Sequence, residues 1–215
     1  AIVIGVVSSE GDTGFVRLIL GDSYVNMTQE NIKNDDPLAV YKQMNGVDMF
    51  MGITFNNIRV SFYAFMAGLL LSVGTILLLL YNGIMLGTFH HLFYTQDLLF
   101  KSLSIVWIHG TLEISSIIIA GAAGLILGNS ILFPKTYSRR QSFLISAKDG
   151  VKIIIGLIPL FIVAGFLESF VTRFTQMPIF INLTIILSSL LFIIWYVIIY
   201  PLKLSRREKN ESTEN

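Results

Sequence analysis

Four long stretches of this chain, from Val60 to Tyr81, Ile114 to Pro134, Ile153 to Leu167 and Phe174 to Leu202, contain no Asp, Glu, Lys or Arg. A helix needs about 20 apolar residues to cross the roughly 30 Å of hydrocarbon in a bilayer, so these stretches read as membrane spans. With 53% hydrophobic residues, 13% charged and a mean hydropathy of +0.70, water cannot be the main solvent of this chain. The partner that composition requires is the lipid bilayer. The 15 basic and 14 acidic residues nearly cancel and give no reason to expect nucleic acid. The absence of cysteine excludes a disulfide framework, a thiolate metal site and a cysteine nucleophile.

The fold class that follows is all-α, a polytopic transmembrane helical bundle. Residues 1–9 are apolar, carry no basic n-region and read as the tail of a truncated transmembrane helix rather than a signal peptide. Residues 10–58 form a polar segment with an acidic excess, which suits the extracytoplasmic side and predicts short helices near the membrane surface. Residues 59–203 hold the bundle and 204–215 a cytoplasmic tail. Within the bundle the first span runs from Val60 to Tyr81 and stops at Asn82-Gly83. Later spans cover Thr111–Phe133, Val151–Val171 and Ile179–Leu202. The segment from Ile84 to Ile108 either crosses or dips in and returns, because His90, His91, Asp97 and Lys101 interrupt it, Asp97 and Lys101 being one helical turn apart. The positive-inside rule arbitrates. Lys135, Arg139, Arg140, Lys148 and Lys152 lie between two spans, and Lys203, Arg206, Arg207 and Lys209 follow the last. Both groups fall on the cytoplasmic side only if 84–108 crosses, giving five spans plus the truncated one and a cytoplasmic C-terminus.

Inside the spans the polar residues fall into stripes. Asn57, Ser61, Ala64, Gly68, Ser72, Thr75 and Asn82 recur at helical spacing on the first, and His109, Glu113, Ser116, Ala120, Gly124 and Gly128 on the fourth. Gly68, Gly74, Gly83, Gly121, Gly124 and Gly128 mark close helix packing, with Gly124 and Gly128 in small-xxx-small register. Glu113 and Glu168 are costlier, since an ionisable group in hydrocarbon must be paired, protonated or wet. Asn56, Asn57, Arg59, Asn82, His109, Glu113, Glu168 and Arg173 are expected to gather as one outer polar cluster in which Arg59 pairs with Glu113 or Glu168. His109 and Glu113 at i and i+4, with Glu168, offer three metal ligands, but no established metal motif surrounds them, so neither a metal nor a cofactor is expected. No Ser-His-Asp, His-Glu-x-x-His or phosphate-loop pattern is present, and no enzyme activity is expected.

Asn56-Asn57-Ile-Arg59, Gly68 with Gly74-Thr75, Asn82-Gly83 with Gly87, His109-Gly110-Thr-Leu-Glu113, Ala120-Gly121-Ala-Ala-Gly124, Ser138-Arg139 and Phe166-Leu-Glu168 together resemble the stage II sporulation protein M family. Tyr24-Val-Asn-Met-Thr28 and Asp36-Pro37 resemble the version carried by Bacteroidetes. The resemblance implies a multi-pass protein of the bacterial cytoplasmic membrane. It also implies a non-catalytic scaffold that recruits other membrane or envelope proteins, cell-wall hydrolases among them, or a second copy of itself. The alternatives are a small-solute or ion transporter using Glu113, Glu168 and His109, and an intramembrane enzyme using His109 and Glu113. A cavity facing Glu113 is the feature that separates a transporter from a scaffold.

Overall fold

The computed structural model describes residues 1–42, 45–175 and 177–214, which are helical throughout apart from short turns, and no strand occurs among them. Of the tail, the side chains of residues 208, 209 and 211–215 lie outside the described residues. The helices are α1 (Ile2–Ser9), α2 (Thr13–Leu20), α3 (Asp22–Lys33), α4 (Gly46–Met66), α5 (Val73–Tyr94), α6 (Leu99–Leu132), α7 (Arg139–Phe166), α8 (Ile179–Ile194) and α9 (Tyr200–Glu214). Val73–Tyr94, Leu99–Leu132, Arg139–Val171 and Ile179–Arg207 are long and apolar enough to cross a membrane. With α4, 21 residues long but carrying Asp48, Asn56, Asn57 and Arg59, they form an up-and-down bundle.

The spans are set differently from the sequence expectation. Val60–Tyr81 is not one helix: the chain reverses at Leu70-Leu71-Ser72, where Leu71 and Ser72 take φ of 52° and 70°. Non-glycine residues in this left-handed region cost on the order of 1–2 kcal/mol each, which tertiary contacts must offset. They do so through Ser72 Oγ, which donates to the Leu125 carbonyl of α6 at 3.1 Å, and Thr75 Oγ1, which donates to the Ala64 carbonyl across the hairpin at 2.7 Å. Asn82-Gly83 therefore sits inside α5 and stops nothing. The segment 84–108 is the end of α5, a tight turn at 95–98 and the start of α6; Asp97 is in the turn with φ of 56°, off the helical face of Lys101. Four helices are long and apolar enough to span, against the five full spans expected, because the first expected span is divided between the more polar α4 and α5. Alternation of α4 to α8 puts the 70–72 turn, the 133–138 turn and α9 at one end, so Lys135, Arg139, Arg140, Lys203, Arg206 and Arg207 share one side.

α6 is the axis of the bundle, touched by α4, α5, α7 and α8. Its small residues admit the α4–α5 hairpin to backbone distance. A Cβ on Gly68 would overlap the Gly124 carbonyl, one on Gly124 would lie 2.5 Å from the Ala64 oxygen, and one on Gly128 would overlap Ser72. The remaining expected packing glycines also sit at close approaches, Gly121 against Leu79, Gly74 against Ala67 and Gly83 against Ala1. Gly150 and Gly165 of α7 do the same for Phe65 and Thr54 of α4. The core fills the space between, with Phe65, Leu112, Ala120, Leu127, Leu157 and Phe161 buried.

The polar segment is not a loose surface layer. α2 and α3 bury Val16 and Val25 against Leu92 of α5, and Leu38 packs with Met49, Phe93 and Ile105. These apolar contacts fix the short helices over one end of the bundle, although helices of this length are marginal alone. Because the chain has no native cysteine, its topology is directly testable. Single cysteines placed at Gln96 and Tyr137 should be labelled by an impermeant maleimide from opposite sides of the membrane, and one at Thr88, fully buried inside α5, from neither.

Candidate functional site

His109 and Glu113 stand one turn apart on α6 and face the wide turn Leu167–Val171 that continues α7. In that turn the Thr172 amide donates to the Leu167 carbonyl at 2.8 Å, five residues back rather than four. The extra residue re-aims Glu168 and Thr172 toward α6, as such insertions do at many functional sites. His109 Nδ1 lies 3.3 Å from Thr172 Oγ1, and that hydroxyl donates its own proton to the Leu167 carbonyl at 3.1 Å. Thr172 Oγ1 is thus left to accept from Nδ1–H, which turns the lone pair of Nε2 outward. Nε2 lies 3.7 Å from Glu168 Oε1, and the ligating atoms of His109, Glu113 and Glu168 all lie within 4.8 Å of one another. Asn57 of α4, 5% exposed, hydrogen-bonds the Glu113 carboxylate from the third side.

The centre is buried but not sealed. A cavity of about 510 Å³ between α1, α5 and α6 is lined by Ile2, Val3, Asn82, His109, Gly110 and Glu113. A second, of about 350 Å³, reaches Glu168 under Tyr24 of α3 and Met49 of α4. Met85, Leu86 and Val106 line both, so the three ionisable groups stand in the wall between two hollows. Tyr24 is the titratable group of the polar segment nearest this hollow. Burial, with the neighbouring Glu168 charge adding to it and a hydrogen bond to Thr28 opposing, pushes its hydroxyl up to about 12.

Of the eight residues expected to form one cluster, Asn57, His109, Glu113 and Glu168 meet, and Asn82 joins the cavity wall with its Nδ2 donating to the Leu78 carbonyl at 2.9 Å. Asn56 and Arg59 do not. Arg59 Nη2 donates to Asn56 Oδ1 at 3.0 Å on the exposed face of α4, in a groove of about 730 Å³ shared with Val151 and Ile155 of α7. The expected pairing of Arg59 with a buried carboxylate is therefore replaced by this contact. The reason is helical geometry: at about 100° per residue, Arg59 points some 200° away from Asn57. Arg173 sits at the rim, beside Gly46 and in a pocket with Lys42 and Phe174. Thr172 and Tyr24 are functional neighbours that the sequence reading missed. Thr172 was findable as a polar residue four after Glu168, whereas Tyr24 reaches the site only through the packing of α3.

An α-helical bundle with four helices long and apolar enough to cross a bilayer, and a buried carboxylate–imidazole centre among them, is a multi-pass membrane protein. The family model for stage II sporulation protein M matches residues 1–173, and the chain belongs to that family. The match takes in every residue of the centre and ends just after the wide turn of α7. Comparison with curated proteins and with solved structures returned no match.

Adjacent asparagines on α4 separate the site from its surroundings. Asn57→Leu strips Glu113 of its buried partner and should cost about 1–3 kcal/mol. Asn56→Leu, on the exposed face, should stay within about 0.5 kcal/mol of the parent. Unfolding of both variants in detergent measures the contrast.

Proposed function

We propose that this protein binds a small cationic species at the His109–Glu113–Glu168 centre and passes it between the two cavities as a transporter or channel. The observation that carries this reading is that Glu113 lines a cavity of about 510 Å³ rather than being packed away. A carboxylate whose only role was to hold helices together would be enclosed by its partners, because hydrocarbon-depth charge is expensive. Here two carboxylates and an imidazole from α6 and α7 present their polar atoms to one small volume. The tight glycine contacts of the α4–α5 hairpin with α6 supply the closed end that alternating access requires. The discontinuity of backbone common in transporters lies at the wide turn of α7, not at Asn82-Gly83 or His109-Gly110, both of which are inside regular helix. We assign the centre no bond-breaking step, and place the basic end of the bundle, with the C-terminus, in the cytoplasm of a bacterial cell.

A docking scaffold is the second reading, and a separate feature favours it. Arg59 faces outward from α4 into the apolar groove with α7. A guanidinium at such a place costs a few kcal/mol unless an anionic group meets it. A carboxylate of a neighbouring envelope protein, a second copy of this chain or a lipid phosphate would serve.

Reconstitution decides between the two. In proteoliposomes the parent protein should carry cation or proton flux, Glu113→Gln should abolish most of it, and Arg59→Gln should leave it unchanged. Absence of flux in the parent, with Arg59→Gln releasing copurifying membrane proteins, would make the scaffold the function.

A further inference from the structure

We infer that His109, Glu113 and Glu168 form a site for one divalent transition-metal ion of the zinc class, bound through His109 Nε2 and an oxygen from each carboxylate. This deepens the cation reading above and names its ligand, although binding itself does not require transport.

Geometry is the first support. Ligands about 2.0–2.2 Å from a tetrahedral zinc ion lie roughly 3.4 Å from each other. The His109–Glu168 pair is already at 3.7 Å, and the widest separation in the trio is no more than 4.8 Å, so rotamer adjustments of about an ångström close the site. The second support is independent of the trio's spacing. With Thr172 Oγ1 donating to the Leu167 carbonyl, the same oxygen accepts from His109 in the tautomer that carries its proton on Nδ1 and presents Nε2 to the metal. A hydrogen bond on the far ring nitrogen is the usual companion of a metal-bound histidine. Charge is the third. Two carboxylates this close in a region that buries His109 to 5% exposure can both be ionised only with compensation, and a dication supplies it in full.

The ligand set also selects among metals. Mg²⁺ and Ca²⁺ call for six or more oxygen ligands, and soft Cu(I) for sulfur, whereas one imidazole with two carboxylates suits Zn²⁺ and its first-row neighbours. Three protein ligands leave a fourth position open. The cavity that His109 and Glu113 line with Asn82 and Gly110 has room for water or an exchanging ligand there. A structural zinc site would be closed. The open position is what an ion needs in order to enter and leave.

The test uses the full chain in detergent, stripped with chelator and titrated with Zn²⁺, with Mg²⁺ as competitor. One Zn²⁺ per chain should bind and resist Mg²⁺ excess. His109→Ala and Glu168→Gln should each weaken binding by at least about tenfold. Thr172→Val keeps all three ligands and loses only the bond to Nδ1, so it should weaken binding by about 10-fold or more. Lys148→Ala, far from the centre, should bind as the parent does, and circular dichroism confirms that each variant is folded. Parent protein that retains no more Zn²⁺ than folded His109→Ala, or Thr172→Val and Glu168→Gln proteins that bind as tightly as the parent, would overturn the site. Zinc binding without flux in proteoliposomes would remove the transport reading and leave the site standing. Flux of protons or monovalent cations without zinc binding would do the reverse.

Discussion

The close approach of the α4–α5 hairpin to α6 is the constraint on which the remainder of the bundle rests. Three backbones meet around Gly68, Gly124 and Gly128, where no Cβ can be accommodated without displacing a carbonyl or Ser72. In a bilayer the hydrophobic effect does not drive helices together, so packing of this density and the hydrogen bonds it permits must do so. The hydroxyls of Ser72 and Thr75 supply those bonds and hold Leu71 and Ser72 in a conformation that neither would adopt alone. Seated this way, α4 presents its Asn57–Ser61–Ala64–Gly68 face to α6 and brings Asn57 to Glu113.

From that contact toward the other end of the bundle, packing gives way to polarity. Between Ala120 and Gly128, α6 meets the α4–α5 hairpin through glycine and alanine; at Glu113 and His109 it meets an asparagine, a carboxylate and a threonine. The distance along α6 from Gly124 to Glu113 is about 16 Å at 1.5 Å per residue, roughly half the hydrocarbon thickness. The centre therefore lies well away from the glycine contacts, toward the end of the bundle capped by α2 and α3. Those short helices belong to the site as much as to the surface: Tyr24 roofs the hollow that reaches Glu168. Binding chemistry, access and cover thus come from three parts of the chain that a linear reading treats separately.

Much of this was legible in the sequence. The apolar stretches defined a membrane bundle, and the cost of burying carboxylates pointed to Glu113 and Glu168. The α4–α5 reversal was not legible, and the reason is specific. Leu70-Leu71-Ser72 contains none of the residues that signal a left-handed turn, and the three- and four-residue spacing of small residues runs on through it from Gly68 to Ser72 and Thr75. Both arms of the hairpin must pack closely, so both carry the same stripe, and the stripe looks like one helix. Arg59 departs from the expected cluster for a related reason: it is near Asn57 in sequence, but two residues along a helix is the opposite face. The wide turn that aims Glu168 and Thr172 at His109 has no sequence signature at all.

The central claim is that His109 and Glu168 act on each other across the α6–α7 interface. A double-mutant cycle of His109→Ala and Glu168→Gln, read from unfolding in detergent, tests it most directly. Contact predicts a coupling energy of about 0.5–3 kcal/mol. Effects that add to within about 0.5 kcal/mol would mean that the two side chains do not meet, and the centre described here would not exist.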